Sequence, residues 1–582
     1  MGLAASKLSA TSDGCYDVSA SWMAKAPHAT VLPFAPGVAL AAVLSGLMPA
    51  SELSAAGSHA TSTLRLGLFD GETDVGRVPV GGAAPAGTAR YDVSTGTYLV
   101  ESAGTNTWYH IDQFHFLWKR ASGDLALTAQ VSFPPPSYAH EPSPHRKGLL
   151  MFRQSLDTGA AYADAAQHGS GMTALQYRVQ SGANTQDIEL NVDAPRTVRL
   201  EKRGDRFTLY LSTAGKPLHQ VGASVRLHLR EPFYVGLGAL SHDAKTTDVV
   251  RFSNVRMEAL KPLAAGTKRE LFSTLETIEV GDQFRRAMVV RTGRSQMQSP
   301  DWAPGGKSIY LQENGIIERI RYLEPAAGGR PQPVDTPGLG DCSGKLGLSP
   351  DGRWLAVSCA TSGSAVHQVY LLPAGGGGSP RQITRGEAAS FFHAWSPDSR
   401  TLAFTRGSAG KADVFTIAAS GGPETRLTSD TVNDGPDYTP DGRYIYFDSL
   451  RSGSTQIWRM RRDGSDPEQI TADGNLNSSP HVSPDGRTLA FLSQPPRNLR
   501  NSQRPALPPM GSSAPTLNSP PTDHAIGPIA LKAMGFEDGL IRTVVEFDGN
   551  RDSFAMQGWG DGKHVVFVSY QYLPAVSDEE AP

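Results

Sequence analysis

Three features of this sequence predict an all-β fold: a short phrase repeated at near-constant spacing, an abundance of turn residues, and brief strand-like runs with no long helical period. The phrase occurs five times, as Trp302-Ala303-Pro304-Gly305-Gly306, Leu348-Ser349-Pro350-Asp351-Gly352, Trp395-Ser396-Pro397-Asp398-Ser399, Tyr438-Thr439-Pro440-Asp441-Gly442 and Val482-Ser483-Pro484-Asp485-Gly486. Its prolines, at 304, 350, 397, 440 and 484, are 46, 47, 43 and 44 residues apart. That period is the length of one four-stranded propeller blade. Proline presets the first corner of a turn and Asp-Gly tolerates the reversal after it, so each copy reads as the hairpin between two inner strands. The 61 glycines and 42 prolines supply the remaining turns.

At 582 residues the chain is too long for one core. Basic and acidic residues nearly balance, 54 against 57, which gives no support for a nucleic-acid partner. Of the three cysteines, Cys342 and Cys359 flank the Ser349–Gly352 turn symmetrically, which makes them cross-strand neighbours. They are either a disulfide or two buried thiols; an exported chain would favour the bond.

Residues 1–60 are expected to be an N-terminal extension. From Met23 it shows basic residues (Lys25, His28), an apolar run (Val38 to Leu47) and small residues (Ser54-Ala55-Ala56, Ser58-His59-Ala60), the layout of a secretory signal. An alanine-rich leader is the other reading, and translation could start at Met1 or Met23. The apolar run is too short for a membrane span. Residues 64–258 alternate short strands and turns, as in Leu125–Val131, Gly148–Arg153, Ala174–Val179 and Phe207–Leu211, which suggests a sandwich or jelly roll. Residues 259–271 read as a linker. Residues 272–571 read as the propeller, with a Pro-, Ser- and Asn-rich disordered insertion at 494–528 and a tail at 572–582. Two strands before the first phrase (Thr274–Val280, Arg286–Arg291) and a last hairpin (Phe554–Trp559, Val565–Ser569) are half blades. Paired together they would close a six-bladed ring and remove its exposed edges.

Two resemblances bear on this outline. Phe114-His-Phe-Leu-Trp118, Gly148–Gln154, Tyr162-Ala-Asp164, Leu175-Gln-Tyr177 and Phe252-Ser-Asn-Val255 resemble the concanavalin-A-like lectin/glucanase sandwich. The Ser-Pro-Asp-Gly phrases, the Ile-Thr strand endings and Asn433–Asp448 resemble TolB-type propellers, over roughly 272–571. Gly305-Gly306 and Asp341-Cys-Ser-Gly-Lys345 depart from that pattern. The family implies, by analogy of fold, an envelope protein that binds other proteins.

Candidate site residues follow from alignment on the turn proline. Two places before it stand Trp302, Leu348, Trp395, Tyr438 and Val482, all apolar and therefore expected between blades. Three to six places before it stand Asp301, His393, Asp434, Asp437, Ser478 and His481, which would converge at the channel mouth. They could bind a ligand, hold a divalent metal, or serve as acid and base; equally, Asp301 and Asp437 could bond the neighbouring blade's backbone. No local metal or nucleophile motif accompanies them, and no cofactor is expected. In the sandwich, Trp118, Arg153, Asp164, His168, Gln176 and Arg178 on one concave sheet would suit a sugar. No paired-carboxylate phrase stands out; Asp187-Ile-Glu189 comes nearest. The expectation is an exported, periplasmic or extracellular, non-catalytic protein binding glycan or envelope protein. The alternative is a polysaccharide lyase or hydrolase using His393, His481, Asp434 and Asp437.

Overall fold

The computed structural model describes residues 66–76, 86–135, 141–213, 217–263, 267, 269–280, 286–322, 331–361, 363–408, 411–496, 529–547, 555–559 and 562–574. The expected signal-like segment and nearly all of the expected insertion lie outside them. Among the described residues every regular element is a strand.

The first part is built from two antiparallel layers. In one, strands Gly71–Val75, Phe114–Ala121, Phe233–Leu240, Lys147–Arg153, Tyr162–His168, Thr173–Arg178 and Gln186–Leu190 pair in that order. In the other the order is His219–Arg226, Arg206–Ser212, Thr197–Arg203, Leu125–Ser132, Asp243–Ala259, Thr97–Gly104 and Thr88–Asp92. Alternation along each strand sends every second side chain inward. Leu150, Phe152, Ala163 and Leu175 of the first layer thus share one core with Leu127, Val198, Leu200 and Leu209 of the second.

The second part is propeller-like. Five sheets follow one another, each with a strand leading into its turn phrase: Met297–Trp302, Gly347–Leu348, Ser390–Trp395, Asn433–Tyr438 and Leu476–Val482. In the second sheet Leu339–Cys342 precedes Gly347–Leu348 and pairs with the same neighbour, Trp354–Thr361. The leading strands touch in sequence. The fifth then touches Ala555–Trp559, which in turn touches Met297–Trp302, so the circuit returns to its start. Four of the five turn phrases are held locally in the same way; the first has Ala303 and Gly305 in place of the hydroxyl and the carboxylate. Ser349 Oγ donates to Asp351 (2.6 Å) and accepts from the Trp354 amide (3.0 Å). Ser396, Thr439 and Ser483 repeat the arrangement. The fifth residue of every copy has positive φ (Gly306, Gly352, Ser399, Gly442, Gly486), and only Ser399 does so without being glycine. Trp302, Trp395, Tyr438 and Val482 are buried, and Leu348 is partly buried against its cluster.

The half blades meet in register: Arg269–Glu279 pairs antiparallel with His564–Pro574, with Thr274 opposite Ser569. The first of these strands begins at Arg269, inside the expected linker, and the last runs to Pro574, inside the expected tail. Arg286–Gly293 lies on the other side of Arg269–Glu279, and it also pairs in parallel with Gln186–Leu190 of the first part. One eleven-stranded sheet therefore crosses the junction. The apolar core crosses with it, since Ile188 and Leu190 cluster with Ile278, Ala287, Val289, Leu531 and Phe567. Cys342 and Cys359 face each other across their strands and are joined by a disulfide.

Candidate functional site

The polar groups near the propeller axis owe their direction to a recurrent irregularity. In four leading strands the register slips just before the turn phrase: between Gln298 and Asp301, Phe392 and Ala394, Asp434 and Asp437, and Ser478 and His481. A bulge of this kind twists the strand and re-aims its side chains. The position three before the proline is then Asp301, Gly347, Ala394, Asp437 and His481, with Gly558 in the corresponding place on Ala555–Trp559. Small and large residues complement each other here. A Cβ on Gly558 would lie 2.6 Å from Asp301 Oδ1, and one on Gly347 would lie 3.2 Å from Oδ2, so these glycines make room for the carboxylate.

Lys345 enters this space from the departing stretch Asp341–Lys345. It is buried, and its Nζ lies 3.1 Å from His481 Nε2. His481 Nδ1 lies 3.5 Å from Asp437 Oδ2, so both its ring nitrogens are engaged. His393 Nε2 stands 3.1 Å from Asp434 Oδ1 and 2.9 Å from Thr405 Oγ1. Burial depresses the Lys345 ammonium, against the pull of Asp437, Asp301, Asp434 and Asp448. Burial likewise lowers His481, with the Lys345 charge adding to the effect. Asp301 is pushed up to about 7 by burial, opposed by Lys345. Asp448 rises to about 7 through burial and the charge of Asp434. Asp434 stays low: burial works against its charge, but His393, the Gly435 amide and Thr405 together outweigh it.

Three carboxylates also brace adjoining sheets. Asp437 Oδ2 accepts from the Val482 amide at 3.1 Å, and Asp301 accepts from the Leu348 amide. Asp448 Oδ1 accepts from the Ser479 amide at 3.2 Å. The structure thus joins His393 to Asp434 and Asp437 to His481, and sets Lys345 among Asp301, Asp434, Asp437 and Asp448. Lys345 and Asp448 were not among the sequence candidates. A hint lay in Lys345: it occupies a stretch that breaks the repeat. Among the described residues, no three His, Cys, Asp or Glu side chains already surround one point as a metal ion requires.

The first part departs from expectation. Arg153, Asp164, Gln176 and Arg178 do lie on one face, with Asp164 opposite Gln176 in register, but that face is roofed by residues 105–112. Tyr162 Oη donates to the Thr107 carbonyl at 2.6 Å, and the Thr185 amide donates to the Tyr109 carbonyl at 2.9 Å. Arg178 donates to both Asp112 oxygens (2.7 and 2.9 Å), and Arg153 Nη2 donates to Asp112 Oδ2 at 3.3 Å. Both arginines have no exposed area. Buried charges need partners, and Asp112 from the roof supplies one to two guanidiniums at once. These arginines therefore tie the roof down rather than face a sugar. Lys147 is likewise buried, bonded to Asn106 (2.8 Å) and Gln176 (3.1 Å). His168 is buried at the end of its strand. Trp118 stays half-buried, edge-on to Tyr234 at 5.3 Å between ring centres.

This ring of sheets around a polar axis defines a propeller-like protein. The family described as the TolB beta propeller domain matches residues 387–506. The chain belongs to the family of the uncharacterized protein Atu1656 of Agrobacterium fabrum, to which it is 31% identical over 316 residues, 53% of this chain and 96% of that protein. It is also 26% identical to the Tol-Pal system protein TolB of Francisella tularensis over 218 residues. That match covers 36% of this chain and spans about half (49%) of the relative. A solved Agrobacterium tumefaciens protein provisionally called TolB aligns with 53% of this chain and 100% of its own, at 30% identity and a TM-score of 0.42.

Proposed function

We propose that this is an exported, non-catalytic binding protein of TolB type, whose propeller axis receives a cationic segment of an envelope protein. One observation carries the reading: Asp301, Asp434, Asp437 and Asp448 stand around a single buried ammonium, Lys345. Burial leaves Asp301 and Asp448 partly protonated near neutral pH. Asp434 is held low, however, and the four carboxyls together still outnumber that one ammonium; the Asp434 side chain is 43% exposed. A guanidinium or ammonium entering along the axis would find acceptors already in place, which favours encounter and orientation. The Cys342–Cys359 bond supports an oxidising compartment, and hence export.

The four strands Arg286–Gly293, Arg269–Glu279, His564–Pro574 and Ala555–Trp559 serve, in this reading, as a sixth blade. A repeated brace supports it: Trp395 Nε1 donates to the Gly347 carbonyl at 3.0 Å, and Trp559 Nε1 donates to the His481 carbonyl at 3.2 Å. We also read the two-layer part as concanavalin-like. Its roofed arginines leave the Trp118–Tyr234 pair as the place where a glycan ring would stack. For the alternative lyase or hydrolase, His393 and His481 would have to give up the carboxylates that now hold them.

A photo-reactive residue at Ser478, beside the axis, tests the binding reading in living cells. An envelope-protein adduct is expected there, and it should fade when Asp434 and Asp437 are both changed to Asn. Adducts forming equally from a site at exposed Val93, or surviving the double change, would overturn it.

A further inference from the structure

Three histidines meet at one end of the first layer. His145 lies just ahead of strand Lys147–Arg153, His168 ends Tyr162–His168, and His242 follows Phe233–Leu240. Lys147 is paired with both His168 and Leu240, so three adjacent strands deliver the three rings to the same rim. The ring centres of His145 and His168 are 6.0 Å apart, and those of His145 and His242 are 5.4 Å apart.

Two of the rings carry buried nitrogens with nothing to bond. His168 is 3% exposed, and neither Nδ1 nor Nε2 has a hydrogen-bond partner. A buried polar group without a partner costs free energy, and a native one calls for an explanation. His242 Nδ1 is in the same condition, and the Thr105 backbone lies close to the ring. A ring nitrogen without a hydrogen-bond partner keeps its lone pair for a ligand. His145 is exposed and lies beside both.

We propose that His145, His168 and His242 form a binding site for a divalent transition-metal ion, with zinc as its probe. Imidazole nitrogens suit such ions, and three protein ligands with one open position are a familiar zinc arrangement. His168 and His242 stand ready, and His145 turns inward on its exposed edge to complete the set, since the three donors do not yet enclose one point. Two positive charges lie close by: the Lys147 ammonium is directed to Asn106 and Gln176 instead, and Arg146 is paired with Asp248. The carboxylates of Asp164 and Asp243 lie close enough to Lys147 and His242 respectively to offset the Lys147 charge.

Isothermal titration of the full chain with zinc chloride, after chelator treatment, tests the site. One equivalent should bind, and His145→Ala and His168→Ala should each weaken it at least about tenfold, the loss typical when a metal site's shell is disturbed. His145 is on the surface, so its variant keeps the fold, which circular dichroism will verify. His228→Ala, on an exposed histidine bonded to Asp205, should change nothing. Absence of a one-to-one isotherm, or one unchanged by His145→Ala, would overturn the proposal.

Discussion

Asp301 shows how one residue can serve structure and charge together. Its carboxylate accepts the Leu348 amide between two sheets, and burial raises it to about 7 from an ordinary 3.8. Between those values the folded chain keeps a proton that the unfolded chain has released, so folding stability falls as pH rises from about 4 to about 7. Asp448, raised by burial and by Asp434, acts in the same direction. Asp301→Asn keeps a neutral acceptor and removes the titration. Guanidinium unfolding midpoints measured across that range should therefore fall less steeply for the variant than for the natural chain. Parallel curves would show that Asp301 does not carry the effect. The sequence pointed to Asp301 by its place before a turn proline, yet it could not show that Gly347 and Gly558, far away along the chain, leave the space it fills.

At the scale of the element, the turn phrase is the clearest device in the molecule. Gly352 sits at φ +69°, and a Cβ added there would have no neighbour within 4 Å, so a side chain meets backbone preference alone. Gly352→Ala should cost about 1–2 kcal/mol of stability, read from thermal or chemical denaturation. Ser399, at φ +59°, bears that conformation without glycine; its Oγ accepts the Asp351 amide of the neighbouring turn at 3.1 Å. The hairpins and their buried aromatic positions were legible because Pro, Asp and Gly act locally. The roof over the first layer was not. Nothing near Asp112 in sequence announces that Arg153 and Arg178 will close on it, because that contact depends on which loop the sheet draws over its face. Lys345 gave only the hint of a broken repeat, since a single lysine carries no period.

Over the whole molecule, the two parts share a sheet and a core rather than a hinge. Ile188 stands beside Ala287 in the parallel seam and packs in the common cluster. Ile188→Ala should cost about 2–5 kcal/mol, and calorimetry should show both parts of the molecule shifting together in one transition. Two separate transitions, with only the first part affected, would contradict a continuous core. Strand periodicity indicated two parts; it gave no sign of their fusion, since a parallel pair between distant segments leaves no mark in either. The latch between Arg269–Glu279 and His564–Pro574 bears on biosynthesis. A nascent chain emerging from a ribosome or a translocation pore displays the earlier strand long before its mate has been made, with one hydrogen-bonding edge open to passing polypeptides. A premature stop codon ahead of His564 would leave that edge permanently unclaimed, so truncation late in the gene should send the product to proteases or inclusion bodies.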